Sequence, residues 1–255
     1  MALPPKDKPT LNQRPVRPLD RRPRQNRVDP GMHRKSSSNP LVKALLIIGV
    51  VFALVITLLM GYAFLIAKPN LPKISALTDY NPKTPLRIYT ADKVLIGEFG
   101  EERRKVIPLD EIPISMRNAV LAIEDDRFYS HGGVDYIGIL RAAATNLRGH
   151  LSQGASTITM QVARNFFLSN EKTFSRKIYE VLLAWEIESQ LTKDKILEIY
   201  MNQIFLGQRA YGFSSAAQIY FGKELKDITI AESAMLAGLP KAPSAYNPVS
   251  NFRRA

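Results

Sequence analysis

Glu124, Asp125 and Asp126 stand in a row, followed closely by Phe128, Tyr129, His131 and the pair Gly132-Gly133. Carboxylates crowded beside an imidazole are the raw material of acid–base chemistry. An ordinary glutamate is a weak base, and neighbouring acids with partial burial would raise its proton affinity toward the working pH. Asp125 and His131 would orient the loop, and Phe128 would pack into the core. The helix that must deliver these acids reads from Ser115 to Ile123, with Ala119, Val120 and Ile123 on its buried face. The glycines would end the turn. Acids thereby collect at a helix C-terminus, where the backbone dipole disfavours negative charge by roughly 0.3–1 kcal/mol. A broken local rule of this sort marks a functional site.

Three further blocks follow in order. Gly154-Ala155-Ser156-Thr157-Ile158-Thr159-Met160-Gln161 leads into a helix expected over 157–168, on which Thr157, Gln161 and Arg164 share a face at spacings of four and three. Ser156 and Thr157 would cap that helix, and Thr157 would also sit near an N-terminus suited to anions. Arg176-Lys177-Ile178-Tyr179-Glu180 begins a helix over 174–191 whose apolar stripe is Ile178, Val181, Leu182 and Trp185. Arg176 and Glu180 then point away from Trp185, either as an exposed ion pair worth about 0.3–0.5 kcal/mol or as cations for a phosphate held in place by an acid. The last block, Ile196-Leu197-Glu198-Ile199-Tyr200-Met201-Asn202, lies on a helix over 192–204, with Gly207 and Tyr211-Gly212 after it. Glu198 and Asn202 read as buried hydrogen-bonding anchors.

Elements around these blocks follow from pattern. Asp135 would cap a helix carrying Ile137, Leu140, Ala144 and Leu147. A short helix spans 212–220, with Gly222 past its end. Thr229-Ile230-Ala231-Glu232 is a capping box opening a helix that stops near Gly238-Leu239-Pro240. Leu86–Tyr89 and Val94–Phe99, joined by a polar turn, read as a β-hairpin. The charged run 101–105 reads as a solvated turn.

The chain has 255 residues and no cysteine, which excludes disulfides and thiolate metal sites. Its net charge of +12 is largely a property of residues 1–43, where 11 Lys/Arg face 3 Asp. Residues 1–40 hold eight of the 17 prolines and few large apolar side chains, the composition of a disordered segment. That tail interleaves no aromatics for base stacking, so no nucleic-acid partner is expected. Ala44 to Ala67 is 24 residues without a charge, long enough at about 1.5 Å per residue to span a hydrocarbon core of about 30 Å. Basic residues before it predict a cytoplasmic N-terminus and an exported C-terminal body. Four parts result: a basic cytoplasmic tail (1–40), a transmembrane helix (41–67), a β-containing linker (68–112) and a mainly helical domain (113–255). About 190 residues follow the tail and the apolar run, enough for one sizeable core.

The four blocks, in this order behind one membrane span, resemble the peptidoglycan glycosyltransferases of family 51, and more narrowly the N-terminal part of class A penicillin-binding proteins of the 1A type. The likeness covers residues 40 to 255. Met160 stands where many members have the first glutamine of a pair, and Arg164 where others have lysine, which keeps the charge but changes the donor geometry. The resemblance implies a lysozyme-like helical catalytic domain in the periplasm, anchored in the inner membrane as a single-pass type II protein. It implies an enzyme that joins lipid-linked disaccharide-peptide (lipid II) into glycan strands, with inversion and with undecaprenyl pyrophosphate as leaving group. Its partners would be lipid II, the growing strand, the membrane and other cell-wall synthesis proteins. Glu124 and Glu180 match the family's two essential glutamates, and Glu124, the first of them, is the candidate base. Asp125, His131, Ser156, Thr157, Gln161, Arg164, Arg176 and Lys177 would contact or orient substrate, with Arg176 and Lys177 on the pyrophosphate. Mg²⁺ or Mn²⁺ is implied by the resemblance alone; no metal-ligand spacing accompanies it.

Phe166, Phe167, Leu168 and Phe174 flank a polar turn and would serve either the core or an apolar rim in the outer leaflet. Ser169-Asn170-Glu171-Lys172 fits the S-x-x-K pattern of transpeptidases, but no K-T-G accompanies it and the only S-x-N lies in the tail. It is read as coincidence; a transpeptidase domain would lie beyond Ala255. Two rival functions share these features: a lysozyme-like enzyme that cleaves glycans, and an inactive membrane scaffold for wall synthesis. Cations beside Glu180 speak against the first, since a hydrolase has no pyrophosphate to neutralise. Intact acids in both blocks speak against the second.

Overall fold

The computed structural model describes residues 39–78, 86–100, 102–147, 154, 156–168, 173–251 and 253. The expected disordered tail (1–38), Glu101, Ala155 and the declined S-x-x-K run (169–172) lie outside the described residues. The chain divides into two compact units, one ending at Val50 and one beginning at Val51. The described part of the first is the beginning of helix α1 (Pro40–Gly61), none of whose residues is buried. In the second unit the helix continues through a π-helical turn (Tyr62–Ala67) and a 3-10 turn (Lys68–Asn70). By length and composition the stretch Pro40–Asn70 is sufficient to cross a membrane. Tyr62–Ala67 rests on the domain through α6 (Phe174–Gln190), where Ala67 is fully buried.

A short helix α2 (Ser75–Thr78) precedes the expected hairpin, β1 (Leu86–Tyr89) and β2 (Leu95–Phe99). The strands are antiparallel, with Leu86 opposite Phe99 and a bulge at Ile88/Tyr89. The charged run that follows is not the solvated turn its composition predicts. Arg103–Arg104 forms a strand β3 parallel to β4 (Ala210–Tyr211). Arg104 is 5% exposed, lies 4.9 Å from the Tyr211 ring centroid, and donates to Gln203, Glu102 and the Asn202 carbonyl. A guanidinium can be buried in this way because its terminal nitrogens find acceptors and its flat face finds a ring.

The domain proper is mostly helical: α3 (Ile114–Glu124), α4 (Tyr136–Leu147), α5 (Ile158–Phe167), α6, α7 (Lys193–Gln203), α8 (Phe213–Phe221) and α9 (Ile230–Gly238). Helix α5 is its axis. Its residues Ile158 to Ala163 are all buried, because it packs on α6 along one side and α7 along another. Helix α3 lies against α9. Met116, Val120, Ile158, Leu183, Ile187, Ile196 and Phe213 belong to the core these helices share. The capping box at Thr229 and Glu232 forms as its sequence pattern predicts.

Helix α7 ties the incoming chain to this core. Asn202 Nδ2 donates to the Ile107 carbonyl at 2.8 Å while its Oδ1 accepts from the Ile107 N–H at 3.0 Å. Glu198 Oε2 accepts from the Leu109 N–H at 3.0 Å. Both residues are the anchors the sequence pattern calls for. The chain then passes so close to Asn202 at Gly212 (φ 81°) that a Cβ there would lie 2.7 Å from its carbonyl oxygen, and glycine alone fits. Replacing Asn202 with Leu keeps the branched side-chain shape and leaves both polar groups of Ile107 unpaired. The expected cost is about 2–4 kcal/mol, read as a lowered melting temperature with unchanged helical circular dichroism.

Three helical faces differ from the sequence pattern. On α3, Val120 is buried but Ile123 is 50% exposed, because the last turn opens onto a cleft. On α6 the inward face is Glu180, Leu182, Leu183, Ala184 and Ile187, and Trp185 is 41% exposed. The helix is rotated so that Glu180 and the small Ala184 face inward, where Gly133 (φ 87°) closes on the Ala184 carbonyl too tightly to admit a Cβ. On α4, Ile137 and Leu140 are 56% and 71% exposed and Ala142 is buried instead. Polar contacts tether this helix: Asp135 accepts from the N–H groups of Ile137 and Gly138 at its start, and Arg141 reaches Asp126 at 3.3 Å. Phe166, Phe167 and Leu168 are half-buried against the core, while Phe174 is exposed.

Candidate active site

A cleft of about 530 Å³ opens where the end of α3 meets the start of α5. Glu124, Asp125, Ser156, Thr157, Gln161 and Arg164 all line it. The face shared by Thr157, Gln161 and Arg164 is thus the face of α5 turned toward the acids.

Asp125 resolves the misplaced charge at the end of α3. It is buried, and its Oδ2 accepts the Ile158 N–H at 3.0 Å, so the acid that closes α3 also caps α5. What is unfavourable for one helix dipole is favourable for the next. His131 Nε2 lies 2.9 Å from Asp125 Oδ1, with the ring edge-on to Phe128. Asp125 and His131 therefore hold the loop, and Phe128 is a core residue.

Thr157 is the N-cap of α5: its hydroxyl accepts the Met160 N–H at 3.2 Å and donates to the Gly133 carbonyl at 2.6 Å. Thr157 is buried and also lines the cleft. Gln161 Nε2 donates to Glu124 Oε2 at 2.6 Å, fixing the carboxylate at the cleft wall. Burial pushes the proton affinity of Glu124 up, and the Asp125 charge adds to this; the Gln161 hydrogen bond, Arg164 and Lys241 work in the opposite direction, and burial prevails.

Glu180 does not line the cleft. It is 1% exposed, with Oε2 at 2.7 Å from Lys177 Nζ and Oε1 at 3.2 Å from Arg176 Nε. The pair expected at the surface differs: of the three, Glu180 alone is buried, because α6 turns it inward, while Arg176 is half-buried and Lys177 remains partly exposed. Lys177 Nζ also donates to Ser156 Oγ at 2.8 Å, and Ser156 is a cleft residue. Lys177 and Ser156 link Glu180 to the edge of the cleft that Glu124 lines, and Glu180 itself stands behind that edge.

Arg141 and Lys241 supply cleft cations that motif reading missed, as Asp126 and Asp135 supply acids. Arg141 sits in the middle of an ordinary helical pattern and Lys241 directly after a Gly-Leu-Pro stop; neither position carries a local signal. Both Glu180 oxygens face cations, and among the described residues no three His, Cys, Asp or Glu side chains gather to hold a divalent ion.

A family model described as transglycosylase matches residues 92–255. Penicillin-binding protein 1A of Neisseria gonorrhoeae is 60% identical over 198 residues, covering 77% of this chain and 25% of that protein. Penicillin-binding protein 1A of Pseudomonas aeruginosa is 55% identical over 194 residues, covering 76% of this chain and 24% of that protein. The chain spans about a quarter of the length of these curated relatives. A 2.6 Å crystal structure of penicillin-binding protein 1A from Haemophilus influenzae aligns over 68% of this chain and 16% of its own, with 31% identity and a TM-score of 0.35.

Proposed function

The chain belongs to the transglycosylase family, and from that premise we propose that it polymerises lipid II into glycan strands by inverting transfer. The observation that carries the reading is Glu124: a carboxylate on a cleft wall, fixed by Gln161, raised in proton affinity by burial, and sharing its cleft with Arg164 and Lys241. In the reaction Glu124 takes the proton of the acceptor's sugar hydroxyl. The hydroxyl oxygen forms a bond to the donor's anomeric carbon. The bond from that carbon to the diphosphate oxygen breaks, and its electron pair leaves with undecaprenyl pyrophosphate. Arg164 stabilises the charge that develops, and Lys177, at the Ser156 edge, meets the departing diphosphate with Arg176 behind it. Glu180 keeps those two cations in place, and Asp125, His131 and Thr157 keep the acid loop on α5.

The helix Pro40–Asn70 would anchor the domain in the inner membrane with residues 1–40 in the cytoplasm and the cleft in the periplasm, as the basic residues ahead of the helix favour. Lipid II, the growing strand and other wall-synthesis proteins would be the partners there.

Purified protein is supplied with lipid-linked disaccharide-peptide and, separately, with finished glycan polymer. Growth of strands from the first is the expected result, with an acidic limb in the pH–rate profile lying above the ordinary carboxylate range because Glu124 must be ionised to act. Shortening of the polymer with no growth from the lipid substrate would replace this reading with a glycan-cleaving one.

A further inference from the structure

Glu188 stands in the last turn of α6 and does not line the cleft, yet three segments that build the site converge on it. Its Oε1 accepts from the hydroxyl of Thr159 on α5 at 2.6 Å and from the ammonium of Lys193, the first residue of α7, also at 2.6 Å. Its Cγ lies under Gly133, where a Cβ would approach it to 3.1 Å. Lys193 Nζ in turn lies 4.3 Å from the ring centroid of Phe128, and Phe128 stands edge-on to His131, the partner of Asp125. The side chains of Glu188 and Lys193 are 12% and 20% exposed, and Thr159 is fully buried. For stability alone, apolar residues of similar volume often serve as well as a mostly buried ion pair. What they cannot supply is a set of directional bonds that fixes several elements in one geometry.

We propose that Glu188 is a positioning residue for the base: through Thr159 it sets the rotation of α5 about its own axis, and through Lys193 and Gly133 it seats the acid loop against that helix, so that Gln161 stays on Glu124. The proposal rests on the reading of Glu124 as the base. Thr159 and Gln161 lie two residues apart on different faces of one helix, so a hold on the first fixes the bearing of the second. A side-chain tip about 5–6 Å from the helix axis moves by about 1 Å for a rotation of about 10°. A displacement of that size breaks the 2.6 Å hydrogen bond from Gln161 to Glu124, and at a catalytic group it costs up to about 10²-fold in rate. The charged groups that act on Glu124 are Asp125 beside it, Arg164 from α5, and Lys241 from the 3-10 turn Leu239–Lys241 after α9. Glu188 faces Lys193 instead and works through α5.

The test is Glu188→Gln in the full chain, with polymerisation of lipid-linked disaccharide-peptide followed across pH. The Gln161 hydrogen bond favours the ionised form of Glu124, so loosening it makes the base harder to ionise. The expected result is an acidic limb displaced toward higher pH, with kcat/KM there lower by about tenfold. Removing a negative charge would by itself move the limb the other way, so an upward displacement reports lost position rather than lost charge. Thr159→Val, which removes the hydroxyl and no charge, should displace the limb in the same direction, and it decides the matter should Glu188→Gln not fold. In a Gln161→Leu background, whose limb is already displaced, Glu188→Gln should add nothing. Limbs that stay in place or move downward, with at most a lowered melting temperature, would overturn the proposal, and so would a displacement undiminished by Gln161→Leu. Glu124→Gln is assayed in parallel. Should that variant polymerise normally, the base assignment fails, and Glu188 is then judged without activity. The side-chain amide ¹⁵N resonance of Gln161, identified by its absence in Gln161→Leu, should move in Glu188→Gln and in Thr159→Val; an unmoved resonance means that Glu188 does not position Gln161.

Discussion

Glu124→Gln is expected to lower strand polymerisation by about 10²–10⁴-fold, the range a positioned general base supplies, and to make the protein more heat-stable at neutral pH. The two effects have one cause. The folded state raises the proton affinity of this carboxyl by burying it, with Gln161, Arg164 and Lys241 compensating only in part. A carboxyl whose folded pKa exceeds its unfolded value stabilises the fold fully below the unfolded pKa and loses that contribution as pH rises through the folded pKa. Near neutrality the ionised Glu124 is therefore a burden on the fold, and a neutral isostere that still accepts from Gln161 removes it. Melting temperatures of wild type and variant should converge in acid and separate as pH rises. Loss of activity with a lowered melting temperature at neutral pH would mean that Glu124 holds the structure rather than performing chemistry.

Glu180→Gln should behave in the opposite way. Its carboxylate is the negative charge between Arg176 and Lys177, with side-chain exposures of 2%, 18% and 43% in the order Glu180, Arg176, Lys177. Removing one member of a buried ion group costs about 3 kcal/mol, less whatever Lys177 recovers by turning to water. For a chain of this size that is a fall of roughly 6–12 °C in melting temperature. Lys177 would also lose its fixed place beside Ser156, so polymerisation measured well below the melting range should fall by about a hundredfold. Glu180→Asp, which keeps the charge on a shorter arm, should recover part of both. Should Glu180→Gln melt like wild type, the ion group around the buried Glu180 does not bind as its distances imply.

Much of the site was legible in residue order. The row at Glu124, the face formed by Thr157, Gln161 and Arg164, and the cations preceding Glu180 all follow from short spacings, because helical periodicity is a local property. The same locality explains the misreadings. The stripe Ile178, Val181, Leu182 and Trp185 is a valid helical face, yet α6 turns Glu180 inward to meet Arg176, Lys177 and, through Lys177, Ser156. Ile123 fits the apolar pattern of α3, but the turn it occupies borders a cleft. Leu140 fits that of α4, a helix tethered by Asp135 and Arg141 rather than by an apolar face. Arg104 sits in a run of charges that reads as solvent-facing, and its burial depends on Tyr211 and Gln203, about a hundred positions downstream.

Residue order alone determined the apolar helix, the hairpin, the helical domain, the caps at Thr157 and Thr229, and the identity of the acids and cations, since each depends on neighbours within a few positions. Tertiary structure decided what those groups do to one another. It placed Asp125 over the first turn of α5, so that an acid at the wrong end of one helix stands at the right end of another. It put Gln161 on Glu124 and brought Lys241 into the same cleft. Proton affinity depends on burial and on charges within a few ångströms, and those distances exist only after segments far apart in the chain have packed together.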